Sequence, residues 1–157
     1  MLLVNARKGP SKIHGQGLIA QEFIPKGTRI WEFRAGYDQT FTPEQLMALP
    51  VIAREQVLFY SYFDPRTQLY IVSLDDDRFT NHSDAPNVIT DVDGDSTKAA
   101  RDIQPGEELV WNYAPWGGLE YRLSPDMPPP HVNMKPPSDK YPPLLNEQPQ
   151  PQPGEPS

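Results

Sequence analysis

Arg78 to Asn87 reads RFTNHSDAPN, and the reading of its Asn81-His82-Ser83 triplet decides the reading of the whole chain. Histidine and serine are the types that acyl-transfer enzymes use as base and nucleophile. That reading fails on geometry. A serine nucleophile needs a base that reaches its hydroxyl and a third group that orients the base. His82 and Ser83 are adjacent, and neighbours on an extended segment point to opposite faces. The surroundings also lack a Gly-x-Ser-x-Gly elbow. The other local reading is a turn. Asp84-Ala85-Pro86-Asn87 carries the side chains that close turns on their own backbone. Taken by themselves, the ten residues favour the turn.

Working outward, the chain divides unevenly. Of its 20 prolines, 12 fall between Pro125 and Pro156, among repeated Gln-Pro pairs. Proline removes a backbone donor and fixes φ, so this stretch cannot build helix or central strand. It also has too little apolar surface to offset its ordering entropy. Residues 125–157 are expected to be a disordered, polyproline-like tail, and residues 1–124 a single domain large enough to bury a core. There is no cysteine, so disulfides and thiolate metal clusters are excluded. No metal site is expected. The apolar start, MLLV, is too short for a signal peptide or a membrane span, and a cytoplasmic location is the default expectation. The net charge of −7 argues against direct binding of nucleic acid, which needs a positive surface. It suits a cationic partner such as a lysine-rich peptide, or simply solubility.

Short strands broken by turns dominate the first hundred residues. LIAQEF alternates, and a Pro-Lys-Gly turn precedes RIWEF. TPEQLMAL is a short helix, with Thr42 as cap, Pro43 in the first turn, Gln45 completing a capping box and Pro50 ending it. EQVLFYSYFD is aromatic and roughly alternating. With the turn PRTQ and the return LYIVSL it predicts a hairpin. A second hairpin turns at Asp93-Gly94, and LVWNY is the last short strand. Asp91, Asp93 and Asp95 alternate as in a calcium loop, but the glycine is misplaced and the final ligand is not glutamate, so a plain turn is favoured. Asp75-Asp76-Asp77 reads as a solvated loop. The residue pattern gives a mostly β domain.

Two further segments change the reading of the triplet. HGQGL, His14 to Leu18, has glycines flanking Gln16 just before a strand, where backbone can approach a ligand closely. ARDIQPGEELVWNY, Ala100 to Tyr113, has a Pro-Gly turn and a strand ending in tyrosine. HGQGL, RFTNHSDAPN and ARDIQPGEELVWNY, in that order, resemble the SET-domain protein lysine methyltransferases. The resemblance spans roughly residues 5–116.

The resemblance implies small β-sheets with a knot-like crossing that brings Asn81, His82 and Tyr113 together. It implies S-adenosylmethionine as methyl donor, with the backbone of His14, Gly15, Gln16 and Gly17 lining it and Asn81 and His82 in contact. On this basis His82 is not a general base and Ser83 is not a nucleophile. Tyr113 matches the family's catalytic tyrosine; without that match it reads as a strand-end core residue. Trp111 stands where the family has a tyrosine or phenylalanine lining the lysine channel. A tryptophan there suits a methylated product or merely narrows the channel. Asn112 replaces a common aspartate. Many family members carry a zinc-binding cysteine segment after the tyrosine, which this chain lacks. Trp116 and Tyr121 are the candidates to cover the cofactor in its place, with packing at the domain end as the equal alternative. Among Phe59, Tyr60, Tyr62, Phe63 and Tyr70, some face the core and some the channel. Tyr60 and Tyr62 are taken as channel residues. Asp64 and Asp75–Asp77 are candidates to attract a basic peptide. The function implied is methyl transfer to a lysine of a protein. The rivals are a non-catalytic module of the same fold and a proline-rich interaction protein. Substrate protein, methylation state and oligomeric state stay open.

Overall fold

The computed structural model describes residues 1–114. The tail expected at residues 125–157, with Trp116 and Tyr121, lies outside the described residues. Thirteen elements follow one another in the order β1 (Ala6–Pro10), β2 (Gln16–Ala20), β3 (Arg29–Glu32), β4 (Gln39–Phe41), α1 (Pro43–Ala48), α2 (Val51–Tyr60), β5 (Ser61–Asp64), β6 (Leu69–Val72), a 3-10 turn (Asp76–Phe79), β7 (Asn81–His82), β8 (Val88–Thr90), β9 (Ser96–Ala99) and β10 (Glu108–Trp111). The described chain is mostly β, as the sequence predicts.

One sheet runs β1-β2-β10-β8-β9-β3, with β7 also on β10; the other runs β4-β6-β5. β10 organises the first. It pairs antiparallel with β2 and parallel with both β7 and β8. Parallel neighbours require a crossover, so β10 must pass between segments laid down much earlier in the chain. The register Val110 to Asn81 and Trp111 to His82 sets the tyrosine segment beside the triplet. The core behind it is aliphatic, with Leu18, Ile24, Ile30, Ile103 and Leu109 fully buried. A smaller cluster of Leu46, Phe63 and Tyr70 lies under the helices.

The first helix matches its sequence signals. The Thr42 hydroxyl accepts from the Gln45 N–H and the Gln45 side chain accepts from the Thr42 N–H. The next segment matches in part: the hairpin around PRTQ forms, but its first strand is shorter than predicted. The predicted strand EQVLFYSYFD is helical through Tyr60, and only Ser61–Asp64 pairs with β6. Val57 and Leu58 pack on the Leu46–Phe63–Tyr70 cluster, and that tertiary contact overrides the alternating aromatic pattern. Pro50 therefore ends one helix and starts another. The hairpin around Asp93-Gly94 forms as predicted. Its carboxylates face cations: Asp91 pairs with Lys98 and Arg29, and Asp95 with Arg66. Among the described residues no helix is long and apolar enough to cross a membrane.

Candidate functional site

The Gly-x-Gly loop is tied to the end of the sheet by one side chain. The Asn81 carboxamide N–H₂ lies within hydrogen-bond reach of Ser11 Oγ (3.1 Å), the His14 and Gln16 carbonyls (3.2 and 3.0 Å) and Glu108 Oε1 (2.9 Å). Two N–H bonds serve four acceptors, so they are shared. The Ser11 hydroxyl donates to the same Glu108 carboxylate. A Cβ on Gly17 would overlap Glu108 Oε1. The close approach at Gly17 is thus to a carboxylate of the chain itself, where the sequence reading expected a ligand. Gly15 does take a positive φ of 50°, with nothing within 4 Å of where a Cβ would stand.

His82 and Ser83 work separately. His82 Nδ1 accepts from the Tyr113 N–H at 3.1 Å, and its Nε2 lies 3.3 Å from Asp84. The Ser83 hydroxyl accepts from the Ala85 N–H, so the local side-chain bond here comes from Ser83 and not from the Asp84 or Asn87 side chains that the sequence offered as turn closers. Asn87 goes beyond a turn. It is buried, donates to the Glu108 carbonyl and accepts from the Val110 N–H, so its side chain extends the pairing of β10. Tyr113 is buried, and its phenol donates to the Thr80 carbonyl. Because a carbonyl can only accept, the phenol hydrogen points at Thr80 and the phenol oxygen is oriented as an acceptor.

Two clefts share a wall at this tyrosine. The first encloses about 580 Å³ counted out to open solvent, and its lining includes Trp31, Tyr60, Tyr62, Asp77, Trp111 and Tyr113. Its aromatics meet edge-on, Tyr62 with Trp111 at 5.7 Å, Trp111 with Tyr113 at 5.9 Å and Trp31 with Tyr62 at 6.4 Å between centroids. The second encloses about 1230 Å³ on the same measure and is lined by His14, Gly15, Gln16, Phe59, Asn81 and His82 among others. Tyr60, Arg78, Thr80 and Tyr113 line both. The Arg78 guanidinium lies over the Tyr60 and Phe79 rings, 5.6 and 5.2 Å from their centroids. Gly17, expected among the cofactor residues, is absent from the lining of the second cleft and stands at the Glu108 contact.

The structure separates the aromatic segment that the sequence left mixed. Phe63 and Tyr70 belong to the core, and burial raises the Tyr70 phenol to about 12. Tyr62 faces the first cleft, Phe59 the second, and Tyr60 both. The acidic residues also need correcting. Asp64 is fully buried against Arg66 and cannot reach a peptide. Asp75-Asp76-Asp77 is not a solvated loop. Asp75 caps the 3-10 turn and accepts from the Leu2 N–H, and Asp76 accepts from the Lys8 N–H. Asp77 is only partly exposed as a residue, and burial pushes its carboxyl up to about 7, against the lowering effect of a Ser73 hydrogen bond. Asp77, read from the sequence as a candidate to attract a basic peptide, lines the first cleft, and Trp31, Arg78 and Thr80 are cleft residues that the sequence reading did not single out. Arg78 and Thr80 stand in the quoted stretch itself; Trp31 had no signal beyond type.

Among the described residues no group of three or more His, Asp or Glu side chains is placed to hold a metal ion. No curated protein matches the chain. Solved structures do, at identities that show the fold. The Chaetomium thermophilum Polycomb Repressive Complex 2 bound to S-adenosylmethionine aligns with a TM-score of 0.54 at 21% identity, over 75% of this chain and 16% of that one. Its apo form with two mutations in Ezh2 aligns with a TM-score of 0.55 at 22% identity, over 71% and 15%. A candidate histone methyltransferase of Plasmodium falciparum aligns with a TM-score of 0.52 at 21% identity, over 72% of this chain and 96% of that one. This chain therefore spans about a sixth of the Polycomb chains it matches. The family profile described as SET domain matches residues 15–114, and β7 and β10 pair in parallel within that span; the chain belongs to the SET-domain family.

Proposed function

We propose that this protein transfers a methyl group from S-adenosylmethionine to a lysine side chain of a protein substrate. The observation that carries the reading is the pair of clefts that share the Tyr113 wall, one aromatic and one framed by the Gly-x-Gly loop. A two-substrate transfer needs this arrangement, because both reactants must reach one point from separate sites. The second cleft fits the cofactor. Phe59, Tyr60 and Phe79 offer flat faces, Gly15 leaves its backbone uncovered, and the Asn81 clamp fixes the loop. When bound, the cofactor supplies an electrophilic methyl on a sulfonium.

The chain's own residues would do the rest. Trp31, Tyr60, Tyr62 and Trp111 make a channel that excludes bulk water and holds the amine in line. The Tyr113 oxygen, oriented by Thr80, presents its dipole to the positive charge on the transferring carbon. His14, Gly15, Gln16, Asn81 and His82 line the cofactor cleft, and Trp116 is proposed to cover it.

Calorimetric titration of S-adenosylmethionine into wild type and Asn81→Ala tests the cofactor site. Saturable binding to wild type, weakened in the variant, is expected. Labelled donor with lysine-rich proteins then tests transfer. Tyr113→Phe should bind cofactor normally and lose on the order of a hundredfold in kcat. Cofactor binding without transfer to any lysine acceptor would favour the non-catalytic module instead.

A further inference from the structure

The aromatic cleft contains a carboxyl group that the proposed transfer has not yet used. Asp77 lines it together with Tyr60, Tyr62, Trp111 and Tyr113. The Ser73 hydroxyl donates to Asp77 Oδ2 at 2.9 Å, and the Thr80 hydroxyl stands 3.5 Å from Oδ1. Thr80 is also the residue whose carbonyl accepts the Tyr113 phenol. One residue thus links the carboxyl and the tyrosine at the point where the two clefts meet.

We propose that the Asp77 carboxylate is the proton acceptor for the substrate amine in this cleft. The proposal rests on the lysine-transfer reading and supplies a step that reading requires. A lysine enters as an ammonium, with an ordinary pKa of about 10.4, and has no lone pair until a proton leaves. In the proposed step one N–H bond breaks and an O–H bond forms on Asp77. The freed lone pair forms the N–CH₃ bond as the C–S bond breaks, and sulfur keeps that electron pair. The product is a methylammonium, and the proton on Asp77 passes to solvent. Desolvation and the adjacent sulfonium both disfavour the ammonium, which brings the amine towards the acceptor.

The surroundings of Asp77 suit a base that works near neutrality. Burial raises its carboxyl, and the carboxylates of Asp75 and Asp38 add to the effect. The Ser73 hydroxyl and the Met1 ammonium oppose it. Arg78 follows in sequence, its guanidinium held over the Tyr60 and Phe79 rings. The Tyr60 and Tyr113 phenols line the same cleft, as does Asp95, which is paired with Arg66.

The first test needs no turnover. In full-length protein labelled with ¹³C at aspartate Cγ, one resonance should titrate near pH 7 and vanish in Asp77→Asn. Its midpoint should be lower with S-adenosylmethionine than with uncharged S-adenosylhomocysteine, because only the former places a positive charge beside it. A midpoint below 5, or one equal with the two ligands, overturns the proposal. The second test is the pH profile of kcat with mixed core histones as methyl acceptor. Wild type should lose activity below pH 7. Asp77→Asn should lose that limb and fall about a hundredfold in kcat with KM within threefold. Asp77→Glu, which keeps the carboxyl, should recover most of the loss and also decides the matter where Asp77→Asn does not fold. An Asp77→Asn enzyme with wild-type kcat and profile, or with only KM raised, overturns the base and leaves the transfer standing. Absence of transfer by wild type to core histones and to every other lysine-rich acceptor overturns both.

Discussion

At the scale of the residue, Gly17 and Asp77 show how local sequence misleads. Gly17 looks like room for a ligand, yet its missing Cβ makes room for Glu108. Gly17→Ala should cost about 1–3 kcal/mol, because Ser11 and Asn81 hold the carboxylate and it cannot swing away freely. Denaturant melts of the single variants and the Gly17→Ala, Glu108→Ala pair would show the coupling as non-additivity. Asp77 carries a prediction with a definite sign. Its carboxyl is raised from 3.8 to about 7 in the fold. Below pH 3.8 both states hold the proton and the group contributes nothing. Between those values the native state binds a proton that the unfolded state has released, so stability falls as pH rises. Asp77→Asn should therefore be more stable relative to wild type at pH 8 than at pH 5. Equal differences in melting temperature at the two pH values would contradict this. A residue that destabilises its own fold at working pH is a mark of a functional site.

At the scale of the element, strong local signals were legible and weak ones were not. The capping box of α1 could be read directly, because both of its hydrogen bonds join residues three apart. Thr42→Ala should cost about 1 kcal/mol in a thermal or denaturant melt. The second helix could not be read, because Phe59, Tyr60, Tyr62 and Phe63 alternate in type while their burial depends on partners elsewhere. Leu46 is the buried residue of α1, and it anchors both helices to Phe63 and Tyr70. Leu46→Ala should cost about 2–5 kcal/mol. Amide exchange should accelerate in α1 and α2 more than in β2 or β10, whose core is separate. The turn before β10 has its own pH signature. Arg101 holds the Glu107 carboxyl down to about 2, with help from the Gln104 N–H and Asn87. That stability is present above the ordinary carboxylate range and disappears as pH falls through 2.

At the scale of the whole molecule, the site exists because β10 lies between β2, β7 and β8. Leu109, fully buried on β10, pairs with Leu18 on β2. Leu109→Ala should lower global stability by about 2–5 kcal/mol, and the loss should extend to cofactor binding, since the same strand carries Glu108 and leads to Tyr113. A ligand bound only by the native state adds stability by mass action, about 2.7 kcal/mol at a hundredfold excess over Kd. S-adenosylmethionine should therefore raise the melting temperature of wild type and do so less in Asn81→Ala.

The sequence by itself determined the β-rich character, the hairpin at Asp93-Gly94, the capped first helix and, through three ordered motifs, the family. Each of these depends on residues close in the chain or on a motif kept whole. Tertiary structure alone decided that Asn81 clamps the Gly-x-Gly loop, that Asn87 extends β10, that Asp64 is withdrawn from the surface and that Asp77 faces the aromatic cleft. Those roles are set by long-range neighbours. The type of a side chain states what it can bond, and only the packed chain decides which partners come within reach and how much water is left around it.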